Sequence, residues 1–348
     1  MKRLVVDLMS TIPHLRLPVT ARARLISRAP AGWETVVIDA LTVSAGDGTN
    51  RVSDETLATV TTAEAYFGFG VPAPLLEVAG ALRWAHSASA GVGNSITPAL
   101  RASGIMFTNS AGVYAEPMAD TVLAGVLHFT RALDFAVHQQ AAARWDQLPF
   151  TSATTDIREI SECRVLVIGA GGIGSAVARR FTALGCTCTG VRRRPERGLP
   201  DGFSSVAGPD DIDRLLPDAD VVVLAAPLTD ASRTTLDAAR FALLPHGAIV
   251  VNVARGALID EVALLAALGP ADNREGRLRG AVLDVFSTEP LPTTSPLWAH
   301  PRVLVTPHVS GVSPRRHWER ALGLFEDNWR RWVAGEPLRN VVDLDAGY

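Results

Sequence analysis

A strand-and-glycine segment in the middle of the chain constrains the fold more than any other feature. It reads VLVIGAGGIG, an apolar run that leads into a GxGxxG motif formed by Gly169, Gly171 and Gly174. The first glycine permits a tight turn, the second lets backbone approach a pyrophosphate, and the third lets a helix pack closely on the strand. Gly172 and Ile173 would open that helix and offer free N–H groups to phosphates. The segment predicts a dinucleotide-binding turn, the alternative being a glycine-rich turn without a ligand.

Apolar strands and helices alternate regularly around this turn. Continuous apolar strands separated by helices are typical of a parallel sheet that is covered on both faces. A smaller α/β unit precedes them, and a long helical stretch at 116–143 connects the two. We therefore predict an α/β fold with two Rossmann-like domains, doubly wound parallel sheets and a cleft between them. The first, substrate domain would span 1–112 completed by 313–348, and the dinucleotide-binding domain would span 113–312. The predicted strands are 35–38, 82–87, 165–168, 187–191, 221–225, 249–253, 280–285 and 303–306.

Composition excludes several functional classes. The 348 residues are 47% hydrophobic and 20% charged, as in globular proteins, and a net charge of −3 offers no basic surface for nucleic acid. Asp7 interrupts the apolar stretch at the N-terminus, and no window approaches a membrane span, so we expect a cytoplasmic protein without membrane contact. The three cysteines form no CxxC pair and no zinc-type spacing, so we expect neither disulfides nor a metal site.

The strand after the glycine turn bears on the choice of cofactor. NAD sites usually end this strand with an acidic residue that binds the ribose hydroxyls. Here the strand runs instead into Arg192, Arg193 and Arg194. A guanidinium matches a 2′-phosphate in charge and in geometry, so the sequence predicts NADP(H) in preference to NAD(H). The alternative is a solvated basic loop.

Three further segments follow predicted strands of the same sheet. They read NVARG, LDVFSTEP and TPHVSG, and they supply the guanidinium of Arg255, the carboxylate of Glu289 and the imidazole of His308. Reduction of a 2-oxo acid needs a cation for the substrate, an acid for the developing alkoxide and a carboxylate that orients the acid. The alternatives are a surface arginine, a turn glutamate and a structural histidine.

These segments resemble the D-isomer-specific 2-hydroxyacid dehydrogenase family, and the likeness extends over nearly the whole chain through SASAGV at 87–92 and TNSAGV at 108–113. The resemblance implies that Arg255 binds the substrate carboxylate and carbonyl, that His308 donates the proton and that Glu289 is its hydrogen-bond partner. A carboxylate beside an imidazole favours the protonated ring, as reduction requires.

The resemblance also implies further binding groups and a partner. Backbone amides of Ala90 and Gly91 would hold the substrate carboxylate, and the long helix after Glu116 would pack against a second subunit in a homodimer. Asp284 and the backbone of Val253 would bind the nicotinamide carboxamide, and Ala226 and Pro227 would lie beside the adenosine half. The remaining residues expected at the cofactor are Ala254, His308 and Gly311.

The sequence departs from the family pattern at two places. Gly93 follows Val92 where an acidic residue is common, and the stretch 269–279 is longer than usual. The aromatic segment 66–70 forms either a wall of the substrate site or part of the core. Glyoxylate, hydroxypyruvate or a related keto acid is the expected substrate. Two other functions share the scaffold, a nucleotide-sensing protein of the corepressor kind and a phosphite or formate dehydrogenase, although formate enzymes usually carry Gln where Glu289 stands.

Overall fold

The structure is a computed structural model that describes residues 1–45, 48–152, 155–271 and 276–347. The chain divides into two compact units, Met1–Tyr114 with Val312–Tyr348, and Ala115–Gly311. Each unit contains a parallel sheet with helices, which confirms the predicted α/β class with two doubly wound sheets. No helix within these described ranges has the length and apolar character needed to cross a membrane.

The first unit is built on a five-stranded sheet with the order β2-β1-β5-β6-β7, in which every neighbouring pair is parallel. A short antiparallel pair, β3 and β4, stands apart from it. The strands are β1 (Lys2–Asp7), β2 (Trp33–Val37), β3 (Val43–Ala45), β4 (Thr49–Arg51), β5 (Ala65–Gly68), β6 (Trp84–Ser87) and β7 (Met106–Thr108). The helices are α1 (Val19–Ser27), α2 (Asp54–Val60), α3 (Ala73–Val78), α4 (Pro98–Ser103) and, from the end of the chain, α12 (His317–Ala334).

Both faces of this sheet are buried. Alternate residues of a strand point to opposite faces, so Leu4 packs in one apolar cluster while Val5 packs in the other. Helix α12 closes the first cluster, where the ring of Phe325 stacks on Phe67 at 4.1 Å and on Trp84 at 5.3 Å between centroids. The aromatic segment 66–70 therefore contributes its large side chains to the core of this unit.

The second unit contains a seven-stranded parallel sheet with the order β10-β9-β8-β11-β12-β13-β14. The order reverses between β8 and β11, and sheets of this kind bind ligands beyond the carboxyl ends of their strands at such a reversal. The strands are β8 (Arg164–Ile168), β9 (Thr187–Val191), β10 (Ser205–Ala207), β11 (Val221–Leu224), β12 (Ala248–Asn252), β13 (Leu278–Leu283) and β14 (Val303–Val305). The helices are α5 (Ala115–Thr130), α6 (Leu133–Ala141), α7 (Leu148–Thr151), α8 (Gly172–Ala183), α9 (Ile212–Leu215), α10 (Ala238–Leu243) and α11 (Glu261–Leu268).

The predicted single helix at 116–143 is two helices, so that prediction was wrong. The chain turns between α5 and α6 at Ala132, whose φ of 53° is left-handed. The start of α6 brings Asp134 to a buried ion pair with Arg279 of β13, with N···O distances of 2.6 and 2.9 Å. A buried charge needs such a partner, and the ion pair holds the start of α6 against β13. In the long stretch 269–279, residues 272–275 lie outside the described residues.

Candidate active site

The glycine turn lies between β8 and α8, and two of its three motif glycines leave no room for a side chain. Gly169 has a left-handed φ of 111°, and a Cβ there would collide with the backbone of Ala225. A Cβ on Gly174 would collide with the carbonyl oxygen of Gly169. Gly171 is the N-cap of the twelve-residue helix α8, and a Cβ there meets no protein atom within 4 Å. The turn and the helix N-terminus therefore fit the phosphates of a dinucleotide.

Three arginines follow the neighbouring strand at the same edge of the sheet. Strand β9 ends one residue before Arg192, which is half-buried and donates from Nη1 to the carbonyl of Gly198 at 3.4 Å. The side chains of Arg193 and Arg194 are exposed. Glu196 belongs to the short 3-10 turn that follows, beyond the end of the strand. The strand end thus presents guanidinium groups, whose charge fits a 2′-phosphate.

The loop after β12 carries Arg255 and is shaped by a buried amide. Asn252, 1% exposed, donates from Nδ2 to the carbonyl of Arg255 at 2.9 Å and accepts from the N–H of Ala254 at 3.1 Å. A Cβ on Gly256 would collide with the backbone carbonyl of Phe286, so this loop lies directly against the loop that follows β13. Asn252 was not among the predicted residues, although its place at the end of a buried strand is a recognisable signal.

Glu289 and His308 meet between the loops that follow β13 and β14. Oε2 of Glu289 lies 2.7 Å from Nδ1 of His308, and Oε1 accepts from the N–H of Phe286 at 3.0 Å. An ionised carboxylate can only accept, so Nδ1 of the imidazole is the donor and Nε2 is the nitrogen on the opposite side of the ring. Glu261, at the start of α11, accepts from the N–H of Ser287 at 2.7 Å and braces this loop.

Asp284 connects the loop that follows β13 to the loop that follows β14. Its side chain is fully buried and accepts hydrogen bonds from Thr306 Oγ1 at 2.6 Å and from the N–H groups of Val309 and Ser310 at 2.8 and 2.9 Å. Its carbonyl oxygen accepts from the N–H of His308 at 2.9 Å. The sequence had suggested a cofactor role for Asp284 and no role for Thr306. The hydroxyl two residues before the histidine was the available signal.

In the first unit, the loop with Ala90 and Gly91 is held by side chains from the segment that follows β7. Asn109 Nδ2 donates to the carbonyl of Ala90 at 2.9 Å, and Tyr114 OH donates to that of Ala88 at 3.2 Å. Within the described parts of the chain, the N–H groups of Ala90 and Gly91 have no acceptor. Two adjacent amides of this kind suit a carboxylate ligand.

Comparison with known proteins places this geometry in a family. The sequence model described as "D-isomer specific 2-hydroxyacid dehydrogenase, NAD binding domain" matches residues 123–310, more than half of the chain. The chain belongs to the D-isomer-specific 2-hydroxyacid dehydrogenase family. Among curated members, a glyoxylate/hydroxypyruvate reductase A from Klebsiella pneumoniae is 36% identical over 66% of this chain and 69% of its own length.

Solved structures of family members are similar to this structure over nearly the whole chain. A D-isomer-specific 2-hydroxyacid dehydrogenase from Xanthobacter autotrophicus Py2, in complex with NADPH and MES, is 31% identical with a TM-score of 0.76, over 100% of this chain and 99% of its own. A family protein from Aeromonas salmonicida is 28% identical with a TM-score of 0.76, over 99% and 100% of the two chains. The predicted family and enzyme class are thus confirmed. The chain is an NAD(P)-dependent oxidoreductase of the D-2-hydroxyacid dehydrogenase type.

Proposed function

We propose that this enzyme reduces a small 2-oxo acid to the 2-hydroxy acid with NADP(H). The observation that carries the proposal is the 2.7 Å hydrogen bond between Glu289 and His308. It lies at the strand ends of a sheet that also presents Arg255 and the glycine turn. A carboxylate, an imidazole and a guanidinium in this setting match the needs of carbonyl reduction.

The three side chains have separate roles. His308 donates a proton from Nε2 to the oxygen of the substrate carbonyl, while Glu289 holds Nδ1 and stabilises the charged ring. Arg255 binds the substrate carboxylate through its fork of donors and polarises the ketone. In the first unit, the amides of Ala90 and Gly91 are the groups proposed to bind a carboxylate. The two units would thereby divide the work, with substrate binding in 1–112 and 313–348 and cofactor binding in 113–312.

The second unit holds the cofactor, which supplies the hydride when bound. Gly169 to Gly174 bind its pyrophosphate, and Arg192, Arg193 and Arg194 bind the 2′-phosphate that distinguishes NADP(H) from NAD(H). Support for this preference comes from the guanidinium groups at the end of β9 and from the NADPH complex of the Xanthobacter relative. The residues proposed beside the adenosine and nicotinamide halves are Ala226, Pro227, Val253, Ala254, Asp284 and Gly311.

Glyoxylate and hydroxypyruvate are the proposed substrates. The proposal follows the name of the Klebsiella relative. It is tested by a panel of 2-oxo acids assayed with NADPH and with NADH while absorbance at the nicotinamide band is followed. We expect turnover of small 2-oxo acids with preference for NADPH. Equal or better turnover with NADH would contradict the role given to the arginines.

A His308→Ala variant separates an enzyme from a nucleotide-sensing protein. We expect loss of reductase turnover by about a hundredfold or more, with NADPH binding retained. An unaffected cellular function in a strain carrying this variant would instead favour the corepressor-like alternative. Phosphite and formate, assayed as hydride donors with NADP and NAD, test the remaining alternative, and oxidation of either anion would overturn the substrate assignment.

We also propose a homodimer that covers the exposed apolar side chains around α6 and α7. Trp145 is 90% exposed, and Leu133, Val137 and Leu148 are exposed near it in the chain. Exposed apolar side chains that lie together are typical of an interaction surface. Light scattering after size-exclusion chromatography tests the proposal, and a monomer at micromolar concentration would refute it. The cytoplasmic location expected from the sequence stays a prediction.

A further inference from the structure

The segment that carries His308 is fixed to the sheet by one buried carboxylate. Asp284 lies just beyond the end of β13, and its N–H donates to the carbonyl of Asn252 at 3.0 Å, which ties it to the neighbouring strand. Its Oδ1 accepts from Thr306 Oγ1 and Val309 N–H, and its Oδ2 accepts from Ser310 N–H. The carboxylate therefore contacts residues on both sides of His308 without contacting the imidazole.

His308 itself has a backbone conformation that needs such support. Its φ of 55° is left-handed, a conformation that is strained for a residue with a side chain. Its N–H donates to the carbonyls of Asp284 at 2.9 Å and Thr306 at 3.0 Å. The ring is held separately, through Nδ1, by Glu289. Two independent sets of hydrogen bonds thus determine where Nε2 points.

Substitution of Thr306 can change the hydrogen bonds of the Asp284 carboxylate, because Thr306 donates to it through its side chain. Of the three hydrogen bonds accepted by the carboxylate of Asp284 in the described structure, two come from backbone amides and one from the Thr306 hydroxyl. A carboxylate offers about four acceptor positions, so one remains on Oδ2 for a further donor. The Thr306 hydroxyl shares Oδ1 with the N–H of Val309, so it is the side-chain donor that helps to hold the carboxylate against both backbone amides.

We propose that Thr306 is a positioning residue that sets the orientation of His308 through Asp284. The proposal rests on the reductase function given above, in which His308 is the proton donor. Displacement of a reacting group by about 1 Å is enough to lower a rate about a hundredfold. We therefore expect loss of the Thr306 hydroxyl to lower turnover more than cofactor binding.

The test compares three variants of the full-length enzyme. Thr306→Val removes the hydroxyl and keeps the shape, and Thr306→Ser restores the hydroxyl. Thr56→Val is the matched control, because Thr56 Oγ1 donates to another buried carboxylate, Asp7 Oδ2, at 3.2 Å in the first unit. We expect Thr306→Val to lower kcat about tenfold or more with the NADPH dissociation constant changed less than about threefold. Thr306→Ser should recover most of the rate, and Thr56→Val should lower only the melting temperature.

Two outcomes overturn the proposal. Equal effects of Thr306→Val and Thr56→Val on kcat would show that Thr306 only stabilises the fold and does not position His308. A raised NADPH dissociation constant with kcat intact would show that the hydroxyl serves cofactor binding through Asp284.

A second measurement does not depend on turnover. The imidazole Nδ1–H signal of ¹⁵N-labelled histidine, assigned to His308 by its loss in His308→Ala, should be sharp in the wild type and in Thr306→Ser and broadened or shifted in Thr306→Val. An unchanged signal in Thr306→Val contradicts the positioning role. Absence of turnover with every 2-oxo acid would refute the proposed function while leaving this signal as a test of Thr306.

Discussion

Glu289 and His308 are hydrogen bonded at 2.7 Å although they stand 19 positions apart and follow different strands. The contact exists because β13 and β14 are neighbours and parallel, so the loops at their carboxyl ends meet. Gly256 allows the loop that carries Arg255 to lie against the loop that follows β13. The parallel sheet thus assembles three distant parts of the sequence at one edge.

Replacing Glu289 by Gln tests the charge of this pair. The amide oxygen can still accept from Nδ1, but the protonated ring loses its counter-charge, and a hydrogen bond to a charged group contributes about 1.5–3 kcal/mol. We expect kcat for 2-oxo acid reduction to fall roughly 10- to 100-fold with NADPH affinity little changed, measured by steady-state kinetics and fluorescence titration. Glu77→Gln, on the exposed surface of α3, is the control. Full activity of Glu289→Gln would rule out the proposed role.

Arg192 is the residue whose replacement should shift cofactor preference. It follows β9 directly, and Arg192→Asp would replace a 2′-phosphate ligand with a group that favours ribose hydroxyls. We expect kcat/KM for NADPH to fall about 10- to 100-fold and the ratio of NADH to NADPH use to rise. Arg330→Ala, exposed on α12, should leave the ratio unchanged. A constant ratio in Arg192→Asp would indicate a solvated basic loop.

The same substitution at two glycines should change stability in opposite directions. At Gly256 a methyl group collides with the backbone of Phe286, and overpacking costs about 1–3 kcal/mol. At Gly323, inside α12, a Cβ meets nothing within 4 Å, and alanine is favoured in a helix by about 1 kcal/mol. We expect Gly256→Ala to lower the melting temperature and kcat, and Gly323→Ala to raise the melting temperature with kcat unchanged. Calorimetry and kinetics measure both, and stabilisation by Gly256→Ala would contradict the loop contact.

Two buried histidines should make the first unit sensitive to acid. Burial lowers the pKa of His86 to about 3 and that of His317 to about 4, both below the ordinary value of 6.5. The folded state then binds fewer protons than the unfolded state, so stability is fully present above pH 6.5 and is lost as the pH falls toward 4. Each histidine contributes a slope of about 1.4 kcal/mol per pH unit.

Urea unfolding followed by tryptophan fluorescence at pH 7, 6 and 5 measures this slope. His317→Phe should lower the slope by up to about 1.4 kcal/mol per pH unit, because one group with a lowered pKa is removed while the aromatic contacts with Tyr114 and Trp318 are kept. His138→Gln, exposed on α6, is the control and should leave the slope unchanged. A slope that is identical in the wild type and His317→Phe would show that His317 is protonated in the folded state.

The features that depend on local chemistry could be predicted from the sequence. Strand β9 begins and ends at the predicted residues, and β8 and β11 agree with their predicted bounds within one residue. Strand β7 has only three residues and β5 has four, too few for an alternation of apolar and polar positions to be recognised. The break at Ala132 has no proline or glycine beside it, so the apolar pattern of 116–143 predicted one continuous helix.

The residues of the candidate site also divide into those that the sequence predicts and those that only the fold reveals. Arg255, Glu289 and His308 were recognisable because their side chains have distinct chemistry and follow apolar strands. The supporting residues Thr306 and Asn252 were missed, because an amide at a strand end or a hydroxyl near a histidine is a weak signal until the fold places a neighbouring loop or a buried carboxylate within reach.

The stacking of Phe325 on Phe67 and Trp84 has a consequence for synthesis of the chain. The ribosome delivers the entire second unit before α12 emerges, so the first unit, although translated first, is completed last. Until then one face of its sheet lacks the helix that covers it, and the nascent chain carries that apolar face into the crowded cell. Translation that stops short of α12 therefore leaves a product whose second unit is complete. Its first unit exposes an apolar sheet face and is prone to aggregate.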